Sequence, residues 1–153
     1  MKKEKVALLL GYFEEQKRII DNLYKELQEA QFDNKKDTVY AGFLMHNLYS
    51  ALEELMEEVA KTFENTVEDI AKYHRELLKR MLINVYRIRP ALWSEETFKL
   101  LDEMRGFRHI FRHSYGYDLD KEKVTILRNK ILSNWNKVEE DLERFQNFLK
   151  SLL

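Results

Sequence analysis

Arg105, Arg108, His109, Arg112 and His113 lie within nine residues of one another in the stretch RGFRHIFRHSYGYDLD (Arg105–Asp120), with no acidic residue between the first and the last. A guanidinium presents a planar fork of donors that matches phosphate oxygens, and an imidazole exchanges a proton near neutral pH. Together these groups suit phosphodiester chemistry. Arginine stabilises charge developing on the phosphoryl oxygens while histidine moves a proton at the attacking or leaving oxygen. If the attacker is the substrate's own 2′-hydroxyl, no metal is required and the substrate must be RNA. Other readings of the same residues stay open. His109 and His113, four apart on one face, could ligate zinc, but no third-ligand motif accompanies them and Arg108 and Arg112 would repel a cation. The basic face could also meet acidic faces of another subunit, or bind nucleotide without catalysis.

Such residues act together only if a helix places them. At about 100° per residue the five basic side chains fall within about 140° of one another, and Met104, Phe107, Ile110 and Phe111 fall on the opposite side, toward a core. This predicts one face packed inward and one cationic face toward solvent. Ser94-Glu95-Glu96 is a helix start and Gly116 a terminator, so the helix spans roughly 95–116. Upstream, Pro90 keeps Arg89 out of helical geometry, and Trp93 is expected to plug the join.

The remaining chain shows the same three-four apolar spacing. A first helix is expected over about 2–31 through Val6, Leu9, Leu10, Phe13, Ile20, Leu23, Tyr24 and Leu27, with Gly11 read as a close helix–helix contact. After the turn FDNKKD, a second runs over about 38–63 with Phe43, Leu44, Leu48, Leu52, Leu55, Val59 and Phe63 inward. Its acidic run (Glu53, Glu54, Glu57, Glu58) reads as a solvated face. His46, Asn47, Tyr49 and Ser50 interrupt the apolar surface, either as a polar side or as a second wall for the site the arginine helix faces. A third helix is expected from Asn65-Thr66 to about Tyr86 through Ile70, Tyr73, Leu77, Leu78, Met81, Leu82 and Val85, with His74 as a lone structural histidine. Asp118 or Asp120 caps a last helix through Val124, Leu127, Ile131, Trp135, Val138, Leu142, Phe145 and Leu149. The fold class is all-α, an up-down bundle of about five helices forming one domain over residues 1–153.

Composition agrees and excludes other classes. The chain has 153 residues, 44% hydrophobic and 35% charged, with only four glycines and one proline, too little turn chemistry for an all-β protein. A net charge of −1 gives no global pull toward nucleic acid or membrane, so any such binding must be local. Cysteine is absent, which removes disulfides and thiolate catalysis and fits a reducing compartment. No apolar run approaches membrane-spanning length, and the start reads as a helix and not a signal peptide; a soluble, cytoplasmic protein is expected. No GxxxxGK[ST], HExxH or Gly-rich dinucleotide loop occurs.

Arg108, four residues, His113, one residue, Tyr115 matches the Arg-x4-His-x-Tyr motif of HepT toxins in the HEPN superfamily of helical ribonucleases. The surrounding FRHIFRHSYGYDLD, the upstream HNLYSALEEL and the all-helical layout resemble that family over nearly the whole chain. The resemblance implies a metal-independent endoribonuclease, without cofactor, acting as a homodimer with the motifs of both subunits facing one cleft. It also implies an antitoxin partner, MntA, a minimal nucleotidyltransferase that silences the toxin by transferring AMP from ATP to the motif tyrosine. Arg108 and His113 become the catalytic pair and Tyr115 the modified residue. The helical face adds Arg105, His109 and Arg112 as RNA-binding residues. His109 rivals His113 as the catalytic histidine, and Tyr117 rivals Tyr115. Two other classes compete: a non-catalytic HEPN module binding nucleotide or substrate for a partner nucleotidyltransferase, and a helical interaction subunit with a basic docking face.

Overall fold

The computed structural model describes residues 2–64, 70–114 and 118–153. They form α1 (Lys3–Glu29), α2 (Lys35–Phe63), α3 (Ile70–Arg80), α4 (Glu95–Ser114) and α5 (Lys121–Ser151). Among the described residues the only β pairing is an isolated antiparallel bridge between Val85 and Arg89. The expected all-α bundle is the observed architecture. No helix among them is long and apolar enough to cross a membrane.

Helix α2 is the hub. It packs against each of the other four helices, and it can do so because apolar residues occupy more than one of its faces: Leu44, Leu48, Leu52, Leu55, Met56 and Val59 are all buried. A helix apolar on a single stripe serves one neighbour layer; a wider apolar surface serves several. Phe13 of α1 and Phe145 of α5 stack at 6.0 Å, and Tyr24 lies parallel to Trp135 at 4.7 Å. Buried side chains of all five helices join one hydrophobic cluster.

The helix ends are secured by side chains that satisfy otherwise orphaned backbone groups. Asn34 accepts from the Asp37 amide at 2.9 Å, which starts α2 three residues ahead of the expected Thr38. Arg128 of α5 donates to the carbonyls of Leu27, Gln28 and Ala30 at the end of α1. Ser94 caps α4 as expected, its Oγ accepting from the Thr97 amide at 3.3 Å. Asp141 of α5, fully buried, accepts from both the amide and the hydroxyl of Ser94 at 2.9 and 2.8 Å. Of the two aspartates considered for α5, Asp120 is the cap, accepting from the Glu122 amide at 2.9 Å.

Four expectations are corrected. Helix α3 ends at Arg80 and not near Tyr86. The break precedes Pro90 because Arg89, almost fully buried, folds back and donates to the carbonyls of Arg80, Ile83 and Pro90 and to Glu64. The Met81 carbonyl meanwhile accepts from the amides of Leu92 and Trp93. Val85 is therefore a half-buried turn residue, and Tyr86 is 83% exposed. Phe43 is exposed on α2. Gly11 faces solvent with nothing near the position a Cβ would take, whereas the close approach is at Gly42, where a Cβ would lie 2.9 Å from Leu119 Cδ1 and 3.3 Å from the Phe111 ring. The Asn65-Thr66 start of α3 and the Gly116 terminator of α4 lie outside the described residues. Trp93 is buried at the join, as expected, its indole N–H donating to Met56 Sδ at 3.1 Å.

Candidate active site at the end of the fourth helix

Only part of the expected cationic face turns to solvent. His109, Arg112 and His113 are exposed on the last turns of α4, and the two imidazoles meet edge to face with centroids 4.4 Å apart. Arg105 is half-buried and donates from Nε and Nη2 to Asp102 one turn earlier. Arg108 is not on the surface. Its side chain is 6% exposed and lies against α2.

Helical geometry explains this correction. Around the axis Arg108 sits only about 40° from Met104 and about 60° from Phe111, so it borders the arc that faces α2. Ile110 sits about 120° from Met104 on the other side, and it is 59% exposed where an inward position was expected. Gly42 lets Phe111 approach α2 closely and so brings this part of α4 against its neighbour.

A buried charge requires a partner, and Glu53 supplies it. Arg108 Nη1 donates to Glu53 Oε1 at 3.0 Å and Nη2 donates to Oε2 at 3.5 Å. Glu53 is itself 7% exposed in its side chain, which overturns its reading as part of a solvated face. The guanidinium also lies 4.9 Å above the Tyr49 ring and 3.5 Å from Ser50 Oγ. Thus His46, Tyr49 and Ser50, three of the four residues considered from sequence as a second wall, stand opposite the arginine helix, and Glu53 one turn further along α2 joins them.

Helix α3 adds His74. Its Nδ1 lies 2.8 Å from Glu53 Oε1 and 3.3 Å from Arg108 Nη2. The shorter contact fits a proton on Nδ1 donated to the carboxylate, since the guanidinium brings only donors. His74 is therefore no lone histidine; it is joined to the same carboxylate as Arg108, and its side chain is 30% exposed. The sequence alone reads Glu53 as part of a solvated face and His74 as a structural histidine, and neither as a site residue. The spacing 46, 49, 50, 53 could have revealed Glu53, because it continues the polar side of α2 by one helical turn.

The electrostatics follow from this geometry. Burial, then the charge of Glu53, raises the Tyr49 phenol well above its ordinary value, so it stays protonated; among the described residues its buried hydroxyl has no hydrogen-bond partner of good geometry. His46, with its ring 5.4 Å from Phe111 and its Nδ1 enclosed without a partner among the described residues, is held below the ordinary histidine value. Burial is the main cause, followed by the charges of Arg108 and Arg112. The imidazole at this wall is thus neutral, beside a cationic helix end. Among the described residues no three His, Asp or Glu side chains gather as a metal site. Tyr115 and Tyr117 lie outside the described residues.

A family model described as HepT-like protein matches residues 41–149, more than two thirds of the chain. The chain therefore belongs to this HepT-like family of the HEPN superfamily, as its Arg-x4-His-x-Tyr motif indicated. The matched span includes the whole of the α2, α3 and α4 site and leaves α1 outside. No curated protein and no solved structure matches the chain.

Proposed function

With membership of the HepT-like family as the premise, we propose that this protein is the toxin of a toxin–antitoxin pair and a metal-independent endoribonuclease. The observation that carries the reading is the pair of exposed, closely set imidazoles of His109 and His113 beside Arg112, on the same helix as the motif's Arg108, which is held against α2 by Glu53. Cleavage begins when the RNA 2′-hydroxyl attacks the adjacent phosphorus. One imidazole takes the 2′-proton as the new O–P bond forms, and a protonated imidazole gives its proton to the departing 5′-oxygen. The products are a 2′,3′-cyclic phosphate and a 5′-hydroxyl, with no metal or cofactor consumed. His113 is the motif histidine, and His109 is placed to share the work. Arg112, Arg108 and Arg105 supply positive charge for the phosphoryl oxygens.

The same reading makes the working form a homodimer, its two motifs facing one cleft in the cytoplasm. An MntA-like nucleotidyltransferase would silence it by AMP transfer to Tyr115, or to Tyr117 two residues on. The tyrosine oxygen attacks the α-phosphorus of ATP and pyrophosphate leaves. The added phosphate brings negative charge among Arg112, His109 and His113 and competes with RNA there. One observation favours the second reading, a non-catalytic module that binds nucleotide for a partner transferase: Arg108 is already paired with Glu53 and buried.

The deciding experiment is RNA cleavage in excess chelator by mass-checked, unmodified protein beside His113→Ala. Wild-type cleavage reduced about 10²–10⁴-fold in the variant supports the ribonuclease. Equal residual cleavage by both points to His109 or to contamination, and no cleavage of several RNAs by folded protein favours the nucleotide-binding module.

A further inference from the structure

An arginine has two edges that can hold a phosphate or carboxylate: the two Nη atoms end-on, or Nε with one Nη side-on. In Arg108 the end-on edge is occupied. Glu53 accepts from both Nη atoms, while Ser50 Oγ lies near Nη1 and His74 Nδ1 near Nη2. Among the described residues Nε makes no hydrogen bond. The Tyr49 ring closes one face of the guanidinium at 4.9 Å. A side chain gripped at one edge and covered on one face has little rotational freedom, and its remaining edge points in a fixed direction.

We infer that Glu53 is a positioning residue of the ribonuclease site, gripping the Nη edge of Arg108 so that the Nε edge is the one offered to an RNA phosphate. The inference rests on the proposed ribonuclease reading and adds a residue outside the motif. It also reconciles burial with function, because an ion pair that engages one edge of the guanidinium need not withdraw the other. Glu53 serves His74 in the same way, its Oε1 accepting a hydrogen bond from Nδ1 and fixing the ring on the same carboxylate.

The test compares wild type, Glu53→Gln, Glu53→Asp, Arg108→Lys and the Glu53→Gln/Arg108→Lys double variant. Two readouts are taken at a temperature where circular dichroism shows each protein folded: single-turnover RNA cleavage, and binding of a 2′-O-methyl oligoribonucleotide that cannot be cleaved. Glu53→Gln keeps the shape of the side chain and removes its charge. Its cleavage rate should fall about 10- to 100-fold with KM nearly unchanged, as misplacement of a catalytic group does. Glu53→Asp, which keeps the carboxylate, should recover part of the rate. The double variant should lose no more than the larger single loss, because Glu53 acts through Arg108. A Glu53→Gln protein as active as wild type, or losses that multiply in the double variant, overturns the inference. If Glu53→Gln does not fold, Glu53→Asp decides: an unchanged rate overturns it, and a lower rate at unchanged KM supports it. Should wild type fail to cleave while binding the 2′-O-methyl strand, the ribonuclease reading falls. What then survives is Glu53's positioning of Arg108 for phosphate binding alone, and only if Glu53→Gln and Arg108→Lys weaken binding equally and without multiplying. Absence of both cleavage and binding overturns both.

Discussion

Among the described residues two arginines, Arg89 and Arg108, are almost fully buried, and each is paired with a glutamate of α2 or its end, yet they are built differently. Arg89 pairs with Glu64 at 2.6 Å and directs its other bonds at backbone carbonyls, those of Arg80, Ile83 and Pro90. Arg108 pairs with Glu53 at 3.0 Å, and its other neighbours are side chains that carry chemistry: Tyr49, Ser50 and His74. The first arrangement organises a turn, since carbonyls can accept bonds and do little else. The second holds an imidazole and a guanidinium on one carboxylate next to two exposed histidines. Burial of an arginine alone therefore does not tell a turn anchor from a candidate site residue. The character of its partners does.

The sharpest way to break this comparison is Arg89→Met. Removing one partner of a buried pair leaves the other uncompensated, and the loss should be about 3–5 kcal/mol in denaturant unfolding. The folded fraction should cleave RNA like wild type; a lowered rate per folded molecule would erase the distinction between the two arginines. Gly42→Ala reaches the Arg108 region through packing alone. Its Cβ would meet Leu119 and the Phe111 ring, so a destabilisation of about 1–3 kcal/mol is expected, measured by thermal melting.

His46 reports the electrostatics of the same region. Its ring is held below the ordinary value of 6.5 by burial and then by Arg108 and Arg112. The unfolded chain therefore binds this proton more readily than the folded one. The contribution to stability is present above pH 6.5, declines as the pH falls through that value, and is fully lost below the lowered folded value. Arg112→Gln should move the NMR titration midpoint of His46 upward, and an unmoved midpoint would detach Arg112 from this wall. The smallest effect serves as a control remote from both arginines. Gly11→Ala, at an exposed helical position with open space around it, should stabilise by about 0.5–1 kcal/mol and leave cleavage unchanged.

The helices were legible from apolar spacing because five long amphipathic segments leave little ambiguity, and Ser94 and Asp120 announced two of the starts. The end of α3 was not legible. Ile83, Val85 and Ile88 continue an apolar pattern, and nothing in their order shows that Arg89 will fold back onto carbonyls of the same turn. The motif residues Arg108 and His113 were found by type and spacing. The burial of Arg108 was missed because charge suggests solvent, and only the acid opposite makes an inward position tolerable. Glu53 looks like one of four equivalent glutamates, and only its place one helical turn beyond His46, Tyr49 and Ser50 marks it as the one that crosses to another helix.

Asp141 has a consequence for how α4 breathes. This buried carboxylate ties the first residues of α4 to α5 through Ser94 and is held in turn by Arg144. The opposite end of the same helix carries the exposed His109, Arg112 and His113. Local openings of low free energy start where few buried contacts hold the backbone. Amide exchange along α4 should therefore be slow near Thr97 and progressively faster toward His113. On the proposed function, occupancy by a phosphate would therefore be written into added protection of the last turns of α4.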